Sequence, residues 1–74
     1  MNIEDYAKEK LWSILVETVH DSVMYPTRKA YTRETILCET PNITPEQLAY
    51  RLDAPLGEAL VILFELNNEK KGNA

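Results

Sequence analysis

Residues 43–66 read ITPEQLAYRLDAPLGEALVILFEL, and this stretch decides the fold. Its first residues combine three signals for the start of a helix. Thr44 is a favourable N-cap, Pro45 falls at the first helical position, and Gln47 completes a capping box with the threonine. The helix that they start is predicted to end at the sequence Asp53-Ala54-Pro55.

The second half of this stretch predicts a last helix that begins at Pro55 and reaches Asn67 or Asn68. Residues 69–74 are expected to form a flexible tail. The helix is apolar on both sides, which is typical of a helix covered on both sides. The side expected to face the domain's own core consists of Ala59, Ile62, Leu63 and Leu66. The second apolar stripe consists of Leu56, Leu60 and Phe64, with Val61 beside them.

The N-terminal part of the chain shows the same helical spacing. Asn2 can cap a first helix, which is expected to span about twenty residues and to end at Met24–Tyr25, because a residue before a proline avoids the helical conformation. The apolar residues of this helix recur at steps of four: Ile3, Ala7, Leu11, Leu15 and Val19.

A further helix is predicted over Thr27–Glu39, capped by Thr27 or Thr32. With no alternating pattern typical of a strand, the sequence predicts an all-α fold of four helices in a single domain, residues 1–74. A long N-terminal helix (1–25) precedes a tri-helical core (27–68).

Composition narrows the function classes. The 74 residues include 12 acidic and 8 basic ones, for a net charge of −4, which disfavours general binding to nucleic acid or to an anionic membrane. One cysteine, Cys38, and one histidine, His20, provide neither a disulfide nor a metal-ligand pattern. We therefore expect no enzyme activity, no metal, no cofactor and no small-molecule substrate. An unpaired cysteine and the lack of a targeting or membrane segment favour the cytoplasm.

The segment Arg28–Leu66 resembles the helix-turn-helix core of winged-helix and related tri-helical DNA-binding domains. The residues that carry this resemblance are Ile43-Thr44-Pro45-Glu46, Leu48-Ala49, Arg51-Leu52, Ala59, Leu63 and Leu66. The resemblance implies that Ala49 is the small residue where two helices cross closely, and that Ile36 and Leu37 anchor the preceding helix. Asp53 takes the turn position that is usually glycine, and aspartate tolerates the left-handed conformation.

Two departures from that family bear on function. DNA-reading domains carry polar or basic side chains on the outer face of the last helix, but the corresponding positions here are Leu56, Gly57, Leu60, Val61 and Phe64. No two-stranded wing is expected before Ala74. These departures disfavour DNA reading by the last helix.

The second apolar stripe needs a cover, because each large side chain left in water forfeits about 1.5–3 kcal/mol. Three covers are open: the first helix of the same chain, a second copy of the chain, or a different protein. Trp12 and Tyr6 make the apolar face of the first helix wide, which favours a two-fold dimer. The candidate interface residues are Leu56, Leu60, Val61, Phe64 and Trp12.

The candidate nucleic-acid contacts are Arg28, Lys29, Arg33, Thr44, Gln47 and Arg51. Arg28, Lys29 and Arg33 form a basic cluster that Arg51 could join in space, and we expect it to be a solvated face that balances Glu34 and Glu39. The nearby tyrosines, Tyr25, Tyr31 and Tyr50, are expected to be partly buried packing residues, although such rings can also stack on bases. His20 near a helix C-terminus is explained by the helix dipole, and Cys38 by a small core position.

The sequence therefore favours a small regulatory or adaptor protein that works through protein–protein contact and self-associates as a homodimer through its apolar last helix. The alternative is a DNA-binding transcriptional regulator of the helix-turn-helix type.

Overall fold

A computed structural model describes the backbone of residues 3–72 and the side chains of residues 3 and 8–69. Four helices follow one another, and no strand occurs in this part of the chain, so the predicted all-α fold is confirmed. We name them α1 (Ile3–His20), α2 (residues 25–39), α3 (Pro45–Leu52) and α4 (Leu56–Gly72). The predicted cap Asn2 lies outside the described residues.

The boundary between α1 and α2 differs from the prediction, because Pro26 lies in the first turn of α2 and does not mark the end of α1. α1 ends at His20, and residues 21–24 form a turn in which Tyr25 donates its backbone N–H to the Ser22 carbonyl. α2 begins at Tyr25, with the proline in its first turn, where a missing N–H costs nothing.

The predicted threonine caps of α2 are wrong. Met24 is the N-cap and makes no side-chain bond, while Thr27 and Thr32 both lie inside the helix. The Thr32 hydroxyl donates to the Arg28 carbonyl over 2.8 Å, the backbonding typical of a threonine inside a helix. A π-helical turn, Thr32–Ile36, begins there and leaves both of its end residues buried.

The start of α3 is as the capping box predicts. The Gln47 backbone N–H donates to Thr44 Oγ1 over 3.2 Å, and the Thr44 N–H donates to Gln47 Oε1 over 3.1 Å. The helix ends at Leu52, and its C-cap is Asp53, whose φ of 53° and ψ of 48° are left-handed as expected. Here aspartate replaces the glycine that usually closes such a turn.

α4 is longer than predicted. It continues past Asn68 to Gly72, so the tail expected over residues 69–74 is helical as far as Gly72. The extra turn includes Glu69, which lies 2.6 Å from Lys29 Nζ and 3.1 Å from Arg33 Nη2 on α2. These ion pairs attach the C-terminal part of α4 to the rest of the fold.

The core lies between α2, α3 and α4. Its buried members are Ile36, Ile43, Leu48, Ala59, Ile62, Leu63 and Leu66, with Tyr25, Leu37, Ala49 and Leu52 packed against them. All four α4 residues that were expected to face the core do so. The anchoring positions Ile36 and Leu37 and the small residue Ala49 also lie in or against it.

α1 packs on a second face of α4. The rings of Trp12 and Phe64 meet edge to face with centroids 5.0 Å apart. A Cβ on Gly57 would lie 2.8 Å from Leu15 Cδ1, so the glycine allows this close approach. Val19 is the buried residue of the described α1 side chains, at 5% exposure. α1 is therefore only partly covered by the rest of the chain.

Candidate protein-interaction surface

One part of the second apolar stripe of α4 is exposed to solvent, and another part is buried. Leu56, Leu60 and Phe64 are 50%, 39% and 48% exposed, whereas Val61 is fully buried. Val61 follows Gly57 by one helical turn and precedes Phe64 by three residues, and both of these neighbours contact α1. Val61 therefore lies beneath α1, and its prediction as an interface residue is wrong.

α1 has exposed apolar side chains of its own. Leu11 is 63% and Ile14 50% exposed. Leu11 lies one turn before Leu15 and next to Trp12, which contact α4, whereas Ile14 lies about 160° around α1 from Trp12 and faces away from α4. We use the term apolar surface for Leu11 on α1 together with Leu56, Leu60 and Phe64 on α4, beside the half-buried Trp12. The chain's own first helix thus covers only part of the stripe. The Tyr6 side chain, predicted to widen this face, lies outside the described residues.

The cations of the basic cluster form ion pairs within the chain, but with carboxylates other than the expected Glu34 and Glu39. Arg28 Nη1 lies 2.8 Å from Glu58 Oε2, whose residue is only 4% exposed. Lys29 and Arg33 pair with Glu69, as described above. The predicted balancing residue Glu34 is in none of the ion pairs between described side chains.

Arg51 does not join this cluster. Its Nη2 lies 2.6 Å from Glu39 Oε1, so one of the two expected acidic partners is confirmed for this residue alone. The hydrogen bond to that carboxylate raises the pKa of Arg51. The side chains of Thr44 and Gln47 form hydrogen bonds within the capping box. Every predicted nucleic-acid contact is therefore already engaged by another group of the chain.

Glu65 is the centre of a polar cluster that joins α1, α2 and α4. The Tyr25 hydroxyl donates to its Oε1 over 2.5 Å, and His20 Nε2 lies 2.6 Å from its Oε2. Lys29 Nζ is 3.5 Å from the same carboxylate. Burial alone would raise the pKa of Glu65, but the hydrogen bonds from Tyr25 and His20 and the charge of Lys29 outweigh it and lower the pKa.

The pKa values of Tyr25 and Lys29 are also shifted by their contacts within this cluster. Burial raises the pKa of the Tyr25 hydroxyl, and its bond to Glu65 raises it further. For Lys29, burial favours the neutral amine, yet hydrogen bonds with Glu69 and Tyr25 and the charge of Glu65 raise its pKa. The cluster therefore stabilises the charged carboxylate and ammonium at neutral pH.

Sequence reasoning missed the role of His20. The histidine bonds Glu65 and packs against the Tyr25 ring, with centroids 4.9 Å apart, as well as lying at the end of α1. No local signal could have found this contact, since His20 and Glu65 are 45 residues apart in the chain.

Three exposed residues correct the predictions of packing. Tyr50 is 90% exposed and lines an open groove of about 500 Å³ with Ile43 and Gln47, while Tyr31 is 48% exposed. Of the three tyrosines, only Tyr25 is half-buried against the core as predicted. Cys38 was expected in the core and is instead an exposed free thiol.

No protein-family model, no curated protein and no solved structure matches this chain. Within the described ranges, no group of three or more histidine, cysteine or acidic residues is placed to hold a metal ion. None of the described helices has the length and apolar character needed to cross a bilayer.

Proposed function

We propose that this chain works by protein–protein contact, as a small regulatory or adaptor protein of the cytoplasm, and that it self-associates through the apolar surface. The proposal includes no catalytic role. The resemblance of residues 28–66 to helix-turn-helix domains remains a prediction about how its helices are arranged.

The observation that carries the proposal is the exposure of four large apolar side chains on two helices in contact. Each is between 39% and 63% exposed: Leu56, Leu60 and Phe64 share one stripe of α4, and Leu11 lies next to Trp12, whose ring meets that of Phe64. Full burial of such a side chain is worth about 1.5–3 kcal/mol. Clustered exposed apolar residues mark interaction sites more often than single ones do, and association would recover the part of this energy that the fold leaves unused.

The alternative, DNA binding, has less support. The face of α4 that would meet a DNA groove lies partly beneath α1, and its exposed positions are leucine and phenylalanine. The arginines and lysine proposed as phosphate contacts are paired with carboxylates. A titration of labelled duplex DNA at low salt tests this alternative. Tight binding that weakens steeply as salt is added would favour the DNA regulator over the adaptor.

Sedimentation velocity over a wide concentration range tests the proposed self-association. We expect a dimer that dissociates on dilution, and weaker association in Leu11→Gln and Leu56→Gln, one on each helix of the apolar surface. Their matched control is Val23→Gln, because Val23 is 90% exposed and outside the surface. Circular dichroism checks that each variant keeps its helices. A wild-type monomer at every concentration would overturn the proposal.

A further inference from the structure

The outward side of α3 borders an open groove. The groove has a volume of about 500 Å³, within the range of about 300–1,000 Å³ that is usual for ligand-binding pockets. Its lining residues come from the loop after α2 and from α3, and they are Thr40, Ile43, Glu46, Gln47, Tyr50 and Arg51. None of them belongs to the apolar surface, so the groove is a separate place on the molecule.

Tyr50 contributes an aromatic ring that the fold does not use. Its side chain is 90% exposed, whereas Leu48, two residues earlier on α3, is fully buried in the core. Ile43 is 9% exposed and adds an apolar side chain to the same groove. Tyrosine is enriched at the contact sites of protein interfaces, where the ring lies against a partner in a concave place. The groove therefore has the apolar part of a recognition site.

The groove also has an unmatched negative charge. Glu46 is exposed and takes part in none of the ion pairs between described side chains. Arg51, the cation among the lining residues, is matched by Glu39, whose carboxylate lies 2.6 Å from it. Glu46 precedes Tyr50 by four residues, which places the carboxylate and the ring next to each other on one face of α3. The lining thus lacks one positive charge, at the place where Glu46 adjoins the Tyr50 ring.

We propose that this groove binds an arginine side chain from an extended segment of a different protein. The guanidinium stacks on the Tyr50 ring and pairs with the Glu46 carboxylate, and its aliphatic stem lies against Ile43. Arginine suits this site better than lysine, because its planar group both stacks on aromatic rings and pairs with a carboxylate through two hydrogen bonds. The groove gives the chain a second contact surface in addition to the one through which it self-associates.

Charge selects this occupant over a second copy and over a nucleic acid. The chain has three arginines, Arg28, Arg33 and Arg51, and each is already paired with a carboxylate of its own chain. A second copy therefore has no unpaired arginine to insert. A nucleic acid would bring its phosphates towards Glu46 and Glu39, which repel them. An arginine of a different protein supplies the charge that the groove lacks.

Nuclear magnetic resonance titration of the full chain at low salt tests the proposal. The probe is a Gly-Arg-Gly tripeptide with blocked ends, and the same peptide with citrulline is its neutral isostere. We expect saturable shifts of the backbone amides of residues 43–51, with a dissociation constant of about 1–10 mM for this short probe. The citrulline peptide should bind about tenfold more weakly, because it keeps the planar shape and lacks the charge. The absence of saturable shifts at these residues would overturn the proposal.

Substitutions at the two halves of the site sharpen the test. Tyr50→Ala and Glu46→Gln change exposed side chains and should each weaken binding of the arginine peptide by about fivefold to tenfold. Tyr50→Phe should retain binding, because the guanidinium meets the ring and not the hydroxyl. Glu46→Gln should bind the arginine and citrulline peptides almost equally.

Glu34→Gln is the matched control. Glu34 is also exposed and in none of the ion pairs between described side chains, but it does not line the groove. This variant should leave the dissociation constant within about twofold. If it weakened binding as much as Glu46→Gln does, the peptide would be responding to net charge alone and the proposal would be wrong.

Two further measurements identify the other occupants. A single-stranded oligothymidylate that bound residues 43–51 more tightly than the arginine peptide would overturn the proposal in favour of a nucleic acid. Sedimentation velocity of Tyr50→Ala should match that of the wild type, and a dimer lost in this variant would assign the groove to a second copy. A wild-type chain that stays monomeric and still binds the arginine peptide would overturn self-association and support this groove.

Discussion

Two opposite sides of α4 show opposite relations between polarity and burial. One side holds Glu58 and Glu65 against the other helices, with Glu58 only 4% exposed, while the other side leaves Leu56, Leu60 and Phe64 between 39% and 50% exposed. A surface helix of a globular protein usually has the reverse arrangement. The polar side is satisfied within the chain and the apolar side is not, so the apolar side is where a partner is to be expected.

The net charge of the chain is a poor guide to its function. The chain carries −4 overall, yet three carboxylates of α4 pair with cations of α2 and with His20. Because these charges are matched inside the fold, the sign of the total charge does not describe the surface that a partner would meet.

The largest expected effect is the loss of stability when Arg28, the partner of Glu58 on the polar side of α4, is removed. Arg28→Ala leaves the buried Glu58 carboxylate without its partner, and an uncompensated buried charge costs about 3–5 kcal/mol. Urea unfolding followed by circular dichroism measures the loss. The double variant Arg28→Met/Glu58→Leu removes both charges and should recover most of the stability. An unchanged midpoint for Arg28→Ala would mean that the pair contributes nothing to holding α2 on α4.

Adjacent positions on α4 allow the second test. Val61 is fully buried and Leu60 is 39% exposed, so Val61→Ala should cost about 2 kcal/mol and Leu60→Ala about 1 kcal/mol, although leucine is the larger side chain. Urea unfolding at a concentration where the chain is monomeric isolates folding from association. Dimerisation should respond in the opposite order, with Leu60→Ala weakening it more than Val61→Ala. If the two variants had equal effects on stability and equal effects on dimerisation, Val61 and Leu60 would not lie in different environments.

The elements that could be predicted are those specified by neighbouring residues. The capping box, the left-handed Asp53 and the core-facing residues of α4 depend on patterns within a few positions, and all were predicted from the sequence. The same helical spacing identified the second apolar stripe of α4 but left open what covers it.

The errors arise where distant parts of the chain meet. Val61 is buried because α1 lies on it, and the extra turn of α4 is attached through Lys29 and Arg33, residues more than thirty positions earlier. His20 was assigned to its local helix end, although its partner is on α4. Helical periodicity identifies which faces are apolar, but it does not show which helix will cover each face.

Acidification should weaken the polar side by the smallest amount, because Glu65 and Glu69 remain partly exposed to water. The pKa of Glu69 is lowered by its hydrogen bond with Lys29, and that of Glu65 is lowered as described above. A carboxyl group whose folded pKa lies below its unfolded value of about 4.3 stabilises the fold fully above that pH, and the stabilisation is lost as pH falls through the folded pKa. Urea midpoints should therefore decrease from pH 6 to pH 3. Glu65→Gln should start lower at pH 6 and decrease less, since its amide does not titrate. If this variant lost as much stability on acidification as the wild type, Glu65 would not contribute to the acid sensitivity of the fold.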